Sequence, residues 1–262
     1  MTTQPALFVS HGSPMIVAEP GAARDFLSGL GDMLARPAAI LVVSAHHDMS
    51  GAVVTTAAHP GTIHDFGGFP EALYALNYPA PGAPDLAARV AALVAGAGVP
   101  VQTDPVRGFD HGAWVPLLLG WPAADIPVVQ LSISSEHSPD WHYRIGLALA
   151  PLRADNVLVI GSGSLTHNLR EVFVARRTVD SPTPDWVSVF ADWMHARLSA
   201  GETRAVLDAI EVAPEGHRNH PTPDHLLPLF TALGAGGADA TATRLHHSYT
   251  YGVLAMDAYS FD

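Results

Sequence analysis

Cysteine and lysine are both absent from the 262 residues, and all thirteen basic side chains are arginine. Without thiols there is no thiolate nucleophile, Fe–S cluster, cysteine-held zinc or disulfide. Without lysine there is no Schiff base, no pyridoxal phosphate enzyme and no P-loop. No G-x-G-x-x-G turn follows a strand-like run, so a dinucleotide site of that type has no support. No apolar run approaches the ~20 residues that a membrane span needs. The start, MTTQPALFVSHGSP, has neither the basic opening nor the long apolar stretch of a signal peptide, so a cytoplasmic location is the expectation. Positive charge is also scarce. The formal net charge of −12 argues against nucleic acid or an anionic membrane as partner; plain solubility accounts for it.

What the chain does have is histidine, fifteen of them, scattered and not run together as in a tag. In a cysteine-free chain, imidazole and carboxylate are the strong metal ligands that remain. Hydrophobic residues make up 48% of the sequence, the mark of a globular protein. The length suits one large domain with a substantial core. No repeat, charge run or linker divides it, so residues 1–262 read as a single domain.

Short β-branched runs alternate with Ala-rich amphipathic stretches. Strands are expected near 5–9, 39–45, 52–57, 100–103, 126–132, 156–161, 240–246 and 251–258. Helices are expected over 20–35, 69–76, 84–97, 112–120, 139–153, 184–199, 202–210 and 223–233. The alternation predicts an α/β fold with a mostly parallel central sheet flanked by helices. ILVVSA, IPVVQLSI and NVLVIGSG are nearly continuous apolar runs, as in strands buried on both faces. Pro/Gly-rich segments at 59–70 and 78–84 read as long loops along one edge. Ser138-Pro139 and Thr222-Pro223 read as helix starts, the second placing His225 in a first helical turn.

Parallel α/β sheets carry their chemistry at the carboxyl ends of strands. His11 stands there after ALFVS, and His46 and His47 after AILVVSA. Neighbours on a strand face opposite ways, so at most one of that pair shares a site with His11. His167 follows the strand-like NVLVIGSG in GSGSLTHN, placed as an acid/base would be; Gly161-Ser162-Gly163 is too compressed for a hydrolase nucleophile elbow. His225 lies in HPTPDHLLPL. In HDFGGFP, His64 and Asp65 precede paired glycines, and Phe66 and Phe69 could flank an aromatic substrate; an ordinary tight loop is the alternative. In GFDHGAW, Asp110 is a natural N-cap and His111 the first helical residue, facing a cleft or simply solvent.

Taken together, SHGSPM, VVSAHH, IHDFGGFP, GFDHGAWVPL, the histidine after GSGSLT, and HPTPDHLLPL resemble the class III extradiol ring-cleavage dioxygenases, in the DOPA-dioxygenase-like branch. The resemblance runs from His11 to about Leu229. It implies a single α/β domain with a mononuclear non-haem Fe(II) site, which in this branch often carries zinc on purification. By motif match, His11 and His46 take the positions of two metal ligands. His167 takes that of the acid/base beside the metal, and His111 that of a histidine shaping the substrate pocket. Where other branches complete the metal site with glutamate, this branch supplies a histidine, here His225. His167 is then ligand or base, and Asp224 and Glu215 remain as carboxylate alternatives.

The chemistry suits these residues. Neutral imidazoles keep Fe(II) reactive toward oxygen, and a histidine titrates near working pH, as a base for a catechol proton must. The expected partners are a small aromatic diol and O2, with a homo-oligomer compatible, and the expected product is a ring-opened semialdehyde. Phe66, Phe69 and Trp114 are expected as apolar walls, with His64 beside them. Arg170, three residues after His167, is expected to clamp a carboxylate on the substrate's side chain; a surface ion pair is the alternative. The competing functions are a zinc hydrolase built on the same imidazoles, which lacks an H-E-x-x-H motif, and a non-enzymatic interaction protein on the same fold.

Overall fold

A computed structural model describes residues 3–262. Among the described residues ten strands form: β1 (Ala6–Ser10), β2 (Ala39–Asp48), β3 (Ala52–Thr55), β4 (Val101–Asp104), β5 (Val128–Ile133), β6 (Val157–Gly163), β7 (Ala242–His246), β8 (Tyr249–Thr250), β9 (Leu254–Ala255) and β10 (Ala258–Phe261). Eight of them make one sheet in the order β4-β3-β5-β2-β6-β1-β10-β7. The central strands β5, β2, β6 and β1 are mutually parallel. β3 joins β5 antiparallel, and β10 pairs antiparallel with both β1 and β7. This is the expected α/β architecture, with reversed strands on its flanks.

The apolar runs explain the layering. Along β2, Ile40 and Val42 pack on one side with Leu7, Val9, Leu158 and Ile160, against the helices Ala22–Met33 and His111–Gly120. Leu41 and Val43 pack on the other with Phe8 and Val159, against Pro84–Gly96, Pro139–Leu149, Asp185–Ser199 and Leu227–Gly236. The period of two thus feeds two cores from one strand.

Two expectations change. The helix expected over 223–233 runs Leu227–Gly236, so His225 sits in a turn ahead of it. A helix begun at Pro223 would carry Pro228 in its interior, without an N–H and against the carbonyl of Asp224; begun at Leu227, it holds Pro228 in its first turn, where proline fits. The strand expected over 251–258 is broken. Tyr251 (φ 54°) and Gly252 (φ 67°) turn the chain between β8 and β9, and β10 starts only at Ala258. A tyrosine in left-handed backbone has a steric cost that a continuous strand would not impose. No helix among the described residues is long and apolar enough to cross a membrane.

His142, on the helix Pro139–Leu149, is fully buried just past the end of β5. Its Nδ1 donates to the carbonyl of Ser138 (3.0 Å), and its Nε2 accepts from the Ser134 N–H (3.1 Å). Only the neutral ring makes both bonds, and burial lowers its pKa to about 4. Protons therefore bind the unfolded chain first. The stability from this group is complete above the unfolded value of ~6.5 and is lost as pH falls toward 4, by roughly 3 kcal/mol at most. We expect His142→Gln, which keeps a donor and an acceptor, to show a smaller drop in urea midpoint between pH 7 and pH 4.5 than the unmodified protein. An equal drop in both would show that His142 is not the titrating group.

Candidate active site

His11 follows β1 immediately and His46 lies near the end of β2, both on the sheet face that carries the helix His111–Gly120. Their Nε2 atoms are 3.1 Å apart. His225 reaches the same point from its turn, its Nε2 3.3 Å from that of His46. Strand parity turns His47 to the opposite face; it is buried and meets no hydrogen-bond partner among the described residues. Only one of the adjacent pair serves the site, as strand geometry requires.

The outer nitrogens fix which way each ring presents its lone pair. Ser162 donates its hydroxyl to the Gly112 carbonyl, so at 3.0 Å it accepts from His11 Nδ1. His225 Nδ1 bonds the Asp224 carboxylate. His111 Nδ1 donates to Asp65 Oδ2 at 2.9 Å, and the His111 backbone N–H donates to Asp65 Oδ1 at 2.8 Å. In each ring the outer partner takes the Nδ1 proton, and Nε2 is the atom turned inward. The His111 ring lies 3.8 Å from that of His46, centroid to centroid. His167 stacks on His225 at 3.5 Å, with 8° between the planes.

The electrostatics follow from this crowding. Burial lowers the pKa of His11 far below its usual value, and the neighbouring imidazoles lower it further, His46 first. Burial, then His111 and His225, take His46 to about 2 against the pull of Asp65. Burial and then His225 take His167 to about 2 as well, against Asp224. For Asp65, burial alone would raise the pKa, but the bonds from His111 outweigh it and hold it at about 2. Asp224 lies well below the carboxylate range for the same reason, with His225 as donor. These are neutral imidazoles backed by ionised carboxylates.

Such a set fits a divalent metal. Ligand nitrogens about 2.1 Å from one ion stand roughly 3.0–3.4 Å apart at tetrahedral or octahedral angles, which matches both measured separations. One nitrogen from each of His11, His46 and His111 falls within 4.8 Å of the others, as do atoms of His167, Asp224 and His225. Glu215, the other carboxylate alternative, is exposed and turned toward Arg218 on another surface.

Above the imidazoles lies a cavity of about 380 Å³. Phe66 and Phe69 line it from the loop at 59–70, and Leu169, Val172 and Phe173 from a short helix, Leu169–Val174. Three expected residues do not reach it. Trp114 is fully buried, with its indole N–H on the Ile63 carbonyl. His64 bonds the Leu76 carbonyl and packs between Phe66 and Trp114, supporting the wall from behind. Arg170 is exposed and off the lining, because the helix turns Leu169, Val172 and Phe173 inward and leaves residue 170 about a quarter-turn away. Sequence reasoning missed Ser162, and it gave Asp65 no part in the site. It also missed Tyr251 and Leu254, which reach the cavity from the β8–β9 turn. Ser162 was visible only as one small residue in GSGS, and nothing local marks the other two.

The base of the site is held by Asp110. Its carboxylate is wholly buried and accepts from Ser44 Oγ (2.6 Å), Gln130 Nε2 (2.8 Å), Arg107 Nη2 (3.2 Å) and the Ala113 N–H (3.2 Å). Arg107 also donates to the His46 carbonyl at 3.0 Å. Two glycines let the parts approach. A Cβ on Gly112 would stand 2.3 Å from Ser44 Oγ, and one on Gly163 2.1 Å from the His225 carbonyl.

A histidine-lined cavity at the carboxyl ends of parallel strands, with apolar walls, defines a metal-dependent α/β enzyme for a small aromatic molecule. The family model described as the catalytic LigB subunit of aromatic ring-opening dioxygenase matches residues 5–261. Among curated proteins, a 4,5-DOPA dioxygenase extradiol of Beta vulgaris is 41% identical, over 97% of this chain and 95% of its own. One from Escherichia coli K12 is 42% identical, over 97% and 93%. A crystal structure of an uncharacterised Escherichia coli K12 protein superposes with a TM-score of 0.80 at 36% identity, covering 99% of this chain and all of that one. The chain belongs to the LigB family of aromatic ring-opening dioxygenases. It is an extradiol ring-cleavage enzyme, which sets aside the hydrolase and non-enzymatic readings.

Asp110→Ala would leave Arg107 half-buried without its carboxylate, and Ser44 and Gln130 without an acceptor. Losing one partner of a buried ion pair costs about 3–5 kcal/mol. We expect a fall of that size in urea unfolding, together with weaker metal retention as the end of β2 loosens. A loss under about 1 kcal/mol, the range of an ordinary N-cap, would reduce Asp110 to a cap.

Proposed function

We propose that this enzyme uses Fe(II) to insert O2 into a substituted catechol, cutting the ring bond beside the diol and giving a ring-opened semialdehyde. The observation that carries the reading is the meeting of the His11, His46 and His225 Nε2 atoms beneath an aromatic-walled cavity. These three hold the metal. When bound, Fe(II) supplies the site at which the diol and O2 come together.

The remaining residues bind and move protons. Phe66 and Phe69 confine the ring from the loop side, and Leu169 and Phe173 close the opposite side and exclude water. His167 is the acid/base. It lines the cavity, its ring makes no hydrogen bond to another side chain among the described residues, and burial keeps it unprotonated in the empty cavity. It takes a proton from a catechol hydroxyl as the diol binds, then returns it to oxygen as the O–O bond breaks. Both oxygen atoms end in the product, so no external reductant enters the balance. His111, held by Asp65, presents Nε2 to the same space and hydrogen-bonds substrate oxygen. Catechols with a carboxylate-bearing side chain are the preferred substrates, a reading supported by relatives named 4,5-DOPA dioxygenase.

The test is oxygen uptake by anaerobically Fe(II)-loaded protein across a panel of catechols, with the ring-opened product followed by its absorbance. His11→Ala, His46→Ala and His225→Ala are expected to lose metal. His167→Ala is expected to keep it and lose about 10²–10⁴-fold in kcat. If His167→Ala sheds metal as fully as His11→Ala, His167 is a ligand and the proton passes to another group.

A further inference from the structure

His220 is a buried imidazole to which the steps above give no part. Its ring packs near Phe190 of the helix Asp185–Ser199, centroids 5.4 Å apart. Its Nε2 donates to the Leu165 carbonyl at 2.9 Å. Nδ1 then carries no hydrogen, and it meets no partner among the described residues. Burial lowers the pKa to about 4 against the pull of the Leu165 carbonyl, so the ring stays neutral at working pH. A bare nitrogen out of water is a cost that leucine or phenylalanine would avoid. What the histidine supplies is the donor on the other side of its ring.

That donor acts on the loop that carries His167. Residues 164–168 join β6 to the helix Leu169–Val174, and the chain from 218 to 225 runs beside them. Asn168 Nδ2 donates to the Arg218 carbonyl at 2.6 Å, and the His167 N–H to the Asn219 carbonyl at 3.0 Å. The Ser164 N–H donates to the His225 carbonyl at 2.9 Å. The His220 ring closes the pairing between these ends. The second segment is itself anchored, because Asn219 Nδ2 donates to the carbonyls of Trp186 (3.0 Å) and Glu215 (3.1 Å). One segment carries His167 and the other His225, and the two rings stack at 3.5 Å. The register between the segments therefore sets where His167 stands over the metal site.

We propose that His220 is the positioning residue for His167, its Nε2–H holding the 164–168 loop so that the acid/base ring stacks on His225 and faces the cavity. The inference rests on the ring-cleavage reading above, and on the role of His167 within it. His220 touches neither substrate nor metal in this arrangement; it acts through the backbone of Leu165.

The test compares His220→Leu, which keeps bulk and loses the donor, with His220→Gln, whose amide nitrogen stands where Nε2 stood. His220→Asn places its nitrogen at the Nδ1 position, out of reach of Leu165, and repeats the loss in a polar side chain. For each Fe(II)-loaded protein, metal content, turnover of the best catechol of the panel, and backbone hydrogen exchange of the 164–168 segment are measured. In His220→Leu and His220→Asn, kcat is expected to fall about 10- to 100-fold, the range for a reacting group displaced by about 1 Å, with KM and metal content within about twofold. The His167 amide is expected to exchange faster in both. His220→Gln is expected to restore turnover and exchange together. A kcat that does not fall in His220→Leu, a fall as deep in His220→Gln, metal lost in step with kcat, or exchange unmoved in His220→Leu and His220→Asn would overturn the inference. Full turnover in His167→Ala, or no oxygen uptake with any catechol, would instead defeat the reading on which it rests, and the exchange would still decide whether His220 holds the loop.

Discussion

The buried carboxylate of Asp110 is the constraint around which the site is organised. It caps the helix that begins at His111, anchors Ser44 on β2 and Gln130 on β5, and pairs with Arg107, which in turn holds the His46 carbonyl. A charge without solvent is tolerated only where its lone pairs are filled. Here the groups that fill them come from two strands, a loop and a helix start. The same requirement that satisfies Asp110 therefore fixes the end of β2 against the helix that carries His111. The positions of two imidazoles follow from the solvation of a residue that never meets the substrate.

The imidazole cluster is held at a cost. Burial and the neighbouring rings keep His11 and His46 from taking up protons, and polar nitrogens out of water need partners. The protein offsets this from outside the cluster. Ser162, Asp224 and Asp65 each engage an outer nitrogen, which fixes the ring and its tautomer. The arrangement suits a metal cation in the middle, and two ionised carboxylates near neutral imidazoles give a site whose charge favours one. Asp65 has a further effect. It sits on the loop that carries Phe66 and Phe69, so the bond that orients His111 also pins the aromatic wall over the metal site.

The expectations drawn from sequence succeeded where a local pattern has one physical outcome. Runs such as ILVVSA bury both faces of a strand, and strand parity then sends His46 one way and His47 the other. Asp110 before His111-Gly112 is a cap in the sequence and a cap in the fold. They failed where proline admits more than one solution. HPTPDHLLPL holds three prolines, and only the packing of Leu227–Gly236 on β6 shows that the last one starts the helix, leaving His225 in the turn before it. Arg170 was placed by its distance from His167 along the chain, but a helix assigns faces by rotation, and residue 170 faces out.

The sequence alone determined the α/β class, the catalytic family and which histidines stand at strand ends, because residue types and their order survive without coordinates. It also excluded thiol, lysine and P-loop chemistry outright. Tertiary structure decided the rest. It brought the Nε2 atoms of His11 and His225, 214 positions apart in the chain, each to within 3.3 Å of that of His46. It chose Ser162 to turn the His11 ring inward and Asp65 to turn that of His111, and it brought Tyr251 to the cavity wall. Such relations depend on how strands pair and helices pack across the whole chain. No local run of residues encodes a distance between elements that meet only when the core closes.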